Sequence, residues 1–177
     1  MKRICVFCGS RRGRGDEYAE LAVLAAQTIV RAGYGIVYGG GSVGLMGIIA
    51  DTALECGGEV VGVIPRALAT AEIAHEGLAQ LHIVETMHER KSLMNDFCDA
   101  FIALPGGFGT MDELCEALSW RQLGIHDKPI GLLNHGGYYD PLLRLFDDMV
   151  DQGFLTPENR ALLVASSEID GLLTKLF

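Results

Sequence analysis

The sequence predicts a Rossmann-like α/β fold, a doubly wound parallel sheet flanked by helices, as a single domain over residues 1–177. Three observations carry this. Short, β-branched apolar runs alternate with longer amphipathic stretches. The runs are continuously hydrophobic, as strands covered on both faces require. No linker, repeat or low-complexity segment breaks the alternation, and 177 residues is the length of one ordinary domain with a real core.

In chain order the expected strands are RICVFC (3–8), GIVYG (35–39), EVVGVI (59–64), LHIVE (81–85), AFIALP (100–105), PIGLL (129–133) and a weaker LLVAS (162–166). The helical stretches are Asp16 to Ala32, Gly44 to Glu55, His88 to Asp99, Met111 to Leu123 and Pro141 to Gln152, with a short tail from Glu168. Strand–helix alternation implies parallel pairing through right-handed crossovers. Ligands of such sheets sit beyond the carboxyl ends of the strands, near a switch point. Function is therefore sought in three corners: CGSRRGRG, YGGGSVGLMG and LPGGFGTMDE.

Composition narrows the partners. With 14 Lys and Arg against 23 Asp and Glu, the formal charge is −9, which disfavours nucleic-acid polymers and anionic membranes. A small phosphorylated molecule remains open, at a locally basic or amide-lined site. The start MKRICVFCG is broken by glycine too soon for a signal peptide, and no apolar run approaches the roughly 20 residues of a membrane span. Five cysteines, an odd number, point to reduced thiols and a cytoplasmic setting. Cys5 and Cys8 spell C-x-x-C, but i and i+3 on a strand face opposite sides, so they read as buried core thiols, with a redox or metal role as the alternative. The five histidines lack metal spacing, and no metal site is expected.

The corner after the second strand holds G-x-G-x-x-G as Gly39, Gly41 and Gly44, the dinucleotide fingerprint in its proper context. Its acidic partner at the end of the next strand is missing, since EVVGVIP leads into Arg66. NAD is poorly supported, which leaves a mononucleotide site or close helix packing. In PGGFGTMDE, Thr110-x-x-Glu113 reads as a capping box. That does not explain Gly106, Gly107 and Gly109, which free backbone amides at a helix N-terminus, a ready anion site. An acid beside a phosphate is awkward unless positive charge develops nearby, as on an oxocarbenium-like sugar. In ETMHERKSLMND, Arg90 and Lys91 open a helix, where cations oppose the macrodipole, so an anion site and a solvated turn are both open. SRRGRG (10–15) reads as a mobile loop, with cationic contacts to substrate as the alternative.

PGGFGTMDE, MHERK, YGGGSVGLMG and WRQLGIHDKPIGLLN followed by GGYYDPLL together resemble the LOG ("lonely guy") family, in order and spacing, from the first strand to about Phe154. The resemblance implies a cytokinin riboside 5′-monophosphate phosphoribohydrolase. Such an enzyme cleaves the N-glycosidic bond of an N6-modified AMP into free base and ribose 5-phosphate. It implies a homodimer or larger assembly and no metal or redox cofactor. By motif, Arg90 and Glu113 correspond to the catalytic pair. Lys91, Gly106, Gly107, Phe108, Gly109 and Thr110 correspond to nucleotide-binding positions, as do Gly40 and Gly41 of the glycine corner. Glu72 matches a substrate-contacting glutamate. Asp112 reads as a first-turn acid favoured by the helix dipole. Gly39 to Met46 and the region of Trp120 are the candidates for sensing the N6 substituent. Many relatives carry the label lysine decarboxylase. That chemistry needs a lysine Schiff base to pyridoxal phosphate, and Lys2, Lys91, Lys128 and Lys175 have no such setting. A general purine nucleoside monophosphate nucleosidase and a non-catalytic nucleotide sensor or carrier remain as alternatives.

Overall fold

The computed structural model describes residues 1–69, 74–75 and 77–177. All seven expected strands form: β1 Arg3–Phe7, β2 Gly35–Tyr38, β3 Val60–Pro65, β4 Gln80–Val84, β5 Ala100–Ala103, β6 Ile130–Leu133 and β7 Leu163–Ser166. They pair in parallel in the order β4-β3-β2-β1-β5-β6-β7. Seven α-helices are described: α1 Glu17–Arg31, α2 Gly44–Glu55, α3 Met87–Phe97, α4 Phe108–Gln122, α5 Asp140–Asp151, α6 Pro157–Arg160 and α7 Ile169–Leu176.

Strand alternation splits the core between the two faces of the sheet. Ile4, Val6 and Cys8 pack with α1, α2 and α7, while Cys5 and Phe7 pack with α3, α4 and Tyr139. Each fully buried Ile, Val or Phe of these layers contributes about 1.5–3 kcal/mol. Cys5 and Cys8 are thus buried on opposite faces as expected, and burial pushes both thiols well above their ordinary range. Among the described residues no helix is long and apolar enough to cross a membrane, and no group of side chains could hold a metal ion.

The order places the reversal of winding between β1 and β5, because the chain runs outward from β1 to β4 and then returns to the other side of β1. The corners after β1 and β5 therefore meet: Gly9 N donates to Pro105 O at 3.2 Å. The α2 corner joins them, with Leu45 N donating to Gly9 O at 3.0 Å.

One helix start differs from expectation by more than a residue. α4 begins at Phe108 with Gly107 as N-cap, three residues before Met111. Thr110 therefore lies inside the first turn and caps nothing, and Asp112 lies past that turn. The T-x-x-E that does cap a helix is Thr86 to Glu89: Glu89 N donates to Thr86 Oγ1 at 3.1 Å, and Glu89 Oε2 accepts from Glu85 N at 2.9 Å.

Candidate active site

At the switch point a cleft of about 250 Å³ opens between the start of α4, the β2–α2 corner and the end of β3. The start of α4 supplies Gly107, Phe108, Gly109, Thr110 and Glu113 to its wall. The opposite wall carries Gly39, Gly41, Met46, Ile64 and Leu68, and Arg90 reaches in from α3.

The Thr86 cap fixes the first turn of α3, and Arg90 lies one turn further on. Its Nε donates to Val63 O at 3.1 Å, and its Nη1 lies 2.8 Å from Glu113 Oε1. The two side chains are only 11% and 8% exposed. Gly39 makes room for this: a Cβ there would collide with the Arg90 guanidinium. Two of the three fingerprint glycines are thus explained by packing, because a Cβ at Gly44 would likewise meet the Ser10–Arg11 peptide. Burial pushes the Glu113 carboxyl above the ordinary glutamate range, and the pull of Arg90 does not cancel that push.

The three glycines of PGGFG divide. Gly106 is required by packing, since a Cβ would collide with the Thr110 side chain. Gly107 and Gly109 are not: a Cβ at either would meet nothing within 4 Å, and neither has a positive φ. Their absent side chains leave the amide end of α4 open to the cleft. Thr110 is 2% exposed and its hydroxyl has no partner. Leaving such a group unsatisfied costs about 1–3 kcal/mol.

The other expected site residues fall differently. Lys91 does not line this cleft; its Nζ is held by Glu116 at 2.7 Å and Asp112 at 3.2 Å, at the edge of a 20 Å³ cavity behind Glu113. Trp120 borders that small cavity and not the cleft. Gly41 lines the cleft, whereas Gly40 has φ +72° and faces Ile64 and Leu81. Glu72 lies outside the described residues. Sequence reading passed over Ile64 and Leu68, for which a strand end followed by a turn at the mouth of the sheet was the available signal.

None of the four lysines lines the cleft, so the described residues do not fit a pyridoxal phosphate group joined there as a Schiff base. Lys128 Nζ donates to Asn95 O, Lys175 Nζ donates to Ala165 O at 2.6 Å, and Lys2 lies over the Phe177 ring. No histidine lines it either.

Fold and cleft together define a Rossmann-like protein with a switch-point cleft, walled by an open glycine turn and a buried guanidinium–carboxylate pair. The family model described as "Possible lysine decarboxylase" matches residues 46–176. A probable cytokinin riboside 5′-monophosphate phosphoribohydrolase of Oryza sativa subsp. japonica is 52% identical over 98% of this chain and 78% of its own. An Arabidopsis thaliana cytokinin riboside 5′-monophosphate phosphoribohydrolase is 49% identical over 99% and 77%, and one of Rhodococcoides fascians 47% over 99% and 89%. The chain belongs to the LOG family. The fold is shared more widely: a molybdenum cofactor carrier protein of Chlamydomonas reinhardtii superposes with a TM-score of 0.71 at 21% identity, covering 99% of this chain and 96% of that one.

Proposed function

We propose that this chain hydrolyses the N-glycosidic bond of a nucleoside 5′-monophosphate, an N6-modified AMP in the first place, to free base and ribose 5-phosphate. The observation that carries the reading is the cleft itself, where an open, amide-lined turn at Gly107 and Gly109 faces the same space as the buried Arg90–Glu113 pair. The relatives' activity supports it.

The turn takes the phosphate and so fixes the ribose beside Glu113. As the C1′–N bond breaks, its electron pair leaves with the base and positive charge grows on the sugar. Ionised Glu113 stabilises that charge and accepts a proton from the water whose oxygen bonds to C1′. The departing base takes up one proton from solvent, and Glu113 then returns its own to solvent. A carboxylate with a raised pKa is the stronger base for this step. A guanidinium is no proton donor for this chemistry, so Arg90 serves to orient Glu113. Met46, Ile64 and Leu68 offer an apolar wall to the base and its N6 substituent. The acidic charge and the unpaired cysteines suit a small-molecule enzyme of the cytoplasm, and the resemblance supports a homodimer.

Incubation with AMP and with N6-isopentenyl-AMP, followed by separation of products, tests this. Equal amounts of base and ribose 5-phosphate, formed faster from the N6-substituted nucleotide, are expected. Base from AMP alone would favour the general nucleosidase, and none from either would leave a binding protein.

A further inference from the structure

We propose that Arg11 and Arg12 form the cationic half of the phosphate site, gripping the 5′-phosphate from the β1–α1 loop while the amides of α4 meet it from the other side. This rests on the nucleotide reading above.

The argument begins with charge. A phosphate monoester carries nearly two negative charges at neutral pH, and the protein itself carries −9. Amides at one helix end supply only about half a positive charge. The two cations nearest in sequence to the expected site are already engaged: Arg90 is committed to Glu113, and Lys91 lies between Asp112 and Glu116. Arg66, just beyond β3, is paired with Glu85 at 2.9 Å.

Arg11 and Arg12 are different. Both are exposed, and among the described residues no carboxylate pairs with either. Both line a second cleft, of about 560 Å³, on the far side of the glycine corner. The two clefts share a wall, because Ser10, Gly107 and Phe108 line each of them. A phosphate seated at the start of α4 is therefore open to the catalytic space on one side and to the arginines on the other.

The loop is also braced. Its root is tied through Gly9 to Pro105 and Leu45, and Gly44 has no side chain where α2 approaches the Ser10–Arg11 peptide. Tyr138 closes the far side: its hydroxyl donates to Gly106 O at 2.7 Å and its ring meets Tyr18 edge-on at 5.8 Å. The root of the loop is thus held against both corners, and it carries two unspent planar cations that suit phosphate oxygens. Thr110, with its buried, unpartnered hydroxyl, stands at the same wall.

The test compares equilibrium binding of AMP and adenosine by the Glu113→Gln protein, which is not expected to consume the nucleotide, with and without Arg11→Ala/Arg12→Ala. The AMP-over-adenosine preference should fall by about tenfold or more, since hydrogen bonds to charged groups are being removed. Adenosine affinity should hold, and the salt dependence of AMP binding should flatten. Arg144→Ala, an exposed arginine on α5, should leave the preference intact. Inhibition by ribose 5-phosphate, measured with Glu113 in place, gives the same comparison should the Gln variant fold poorly. A preference for AMP that survives loss of both arginines overturns the inference alone; no preference for AMP in the parent protein overturns the nucleotide reading beneath it.

Discussion

Arg90 Nη1 lies 2.8 Å from Glu113 Oε1, and the pair is almost fully removed from water although the two are 23 positions apart in the chain with one β-strand between them. Neither side chain could be left there alone. A buried ion that loses its partner typically costs about 3–5 kcal/mol. Glu113 also stands apart from the open start of α4: Gly107 and Gly109 lie at its N-terminal end, while Glu113 stands beyond the first helical turn.

The raised Glu113 pKa gives a pH prediction. Activity needs the ionised carboxylate, so kcat/KM should rise with pH along an acid limb above the ordinary glutamate range. In Arg90→Gln the guanidinium no longer opposes desolvation, and the limb should move further toward alkaline pH. A limb that stays in place would belong to another group, such as the substrate phosphate.

Stability should follow the same proton. Glu113 holds it more tightly folded than unfolded, so its stabilising contribution is present in acid and is lost as pH rises through the folded pKa. Arg90→Ala should accordingly cost about 3–5 kcal/mol at neutral pH and distinctly less in acid. Denaturant unfolding at the two pH values measures this.

The two threonines should separate capping from binding. Thr86→Ala removes a formed cap and should cost about 1 kcal/mol of stability. Thr110→Val replaces an unpartnered buried hydroxyl by a methyl, so stability should hold or rise slightly, while AMP binding weakens and adenosine binding does not.

The glycines make a similar pair. Gly109→Ala, in a helical turn with open space, should stabilise the protein by up to about 1 kcal/mol and still weaken AMP binding. Gly39→Ala should lower both stability and turnover, because it displaces the Arg90 guanidinium. Melting curves alongside AMP titrations distinguish the two.

Much of the fold was legible because buried parallel strands write themselves as continuous apolar runs, as β2, β3, β5 and β6 do, while the edge strands β4 and β7 are less buried and carry a weaker signal. The corners were legible as corners, but their internal roles were not. T-x-x-E occurs at 86–89 and at 110–113, and spacing cannot say which helix starts there; the start at Phe108 decided it. On position Lys91 was open between an anion site and a solvated turn; Asp112 and Glu116 stand four apart on one face of α4, and that spacing was the signal that α4 carries partners for it. The grouping of Arg90 with Glu113 came from family resemblance, since no periodicity links residues on different helices, and their contact came from the structure.

The central claim is that Glu113 works on the sugar and not on the phosphate. Glu113→Gln, saturated with AMP and checked for bound nucleotide, should bind within about tenfold of the parent protein. Its release of ribose 5-phosphate should be slower by about 10²–10⁴-fold. Release at close to the parent rate would contradict the account.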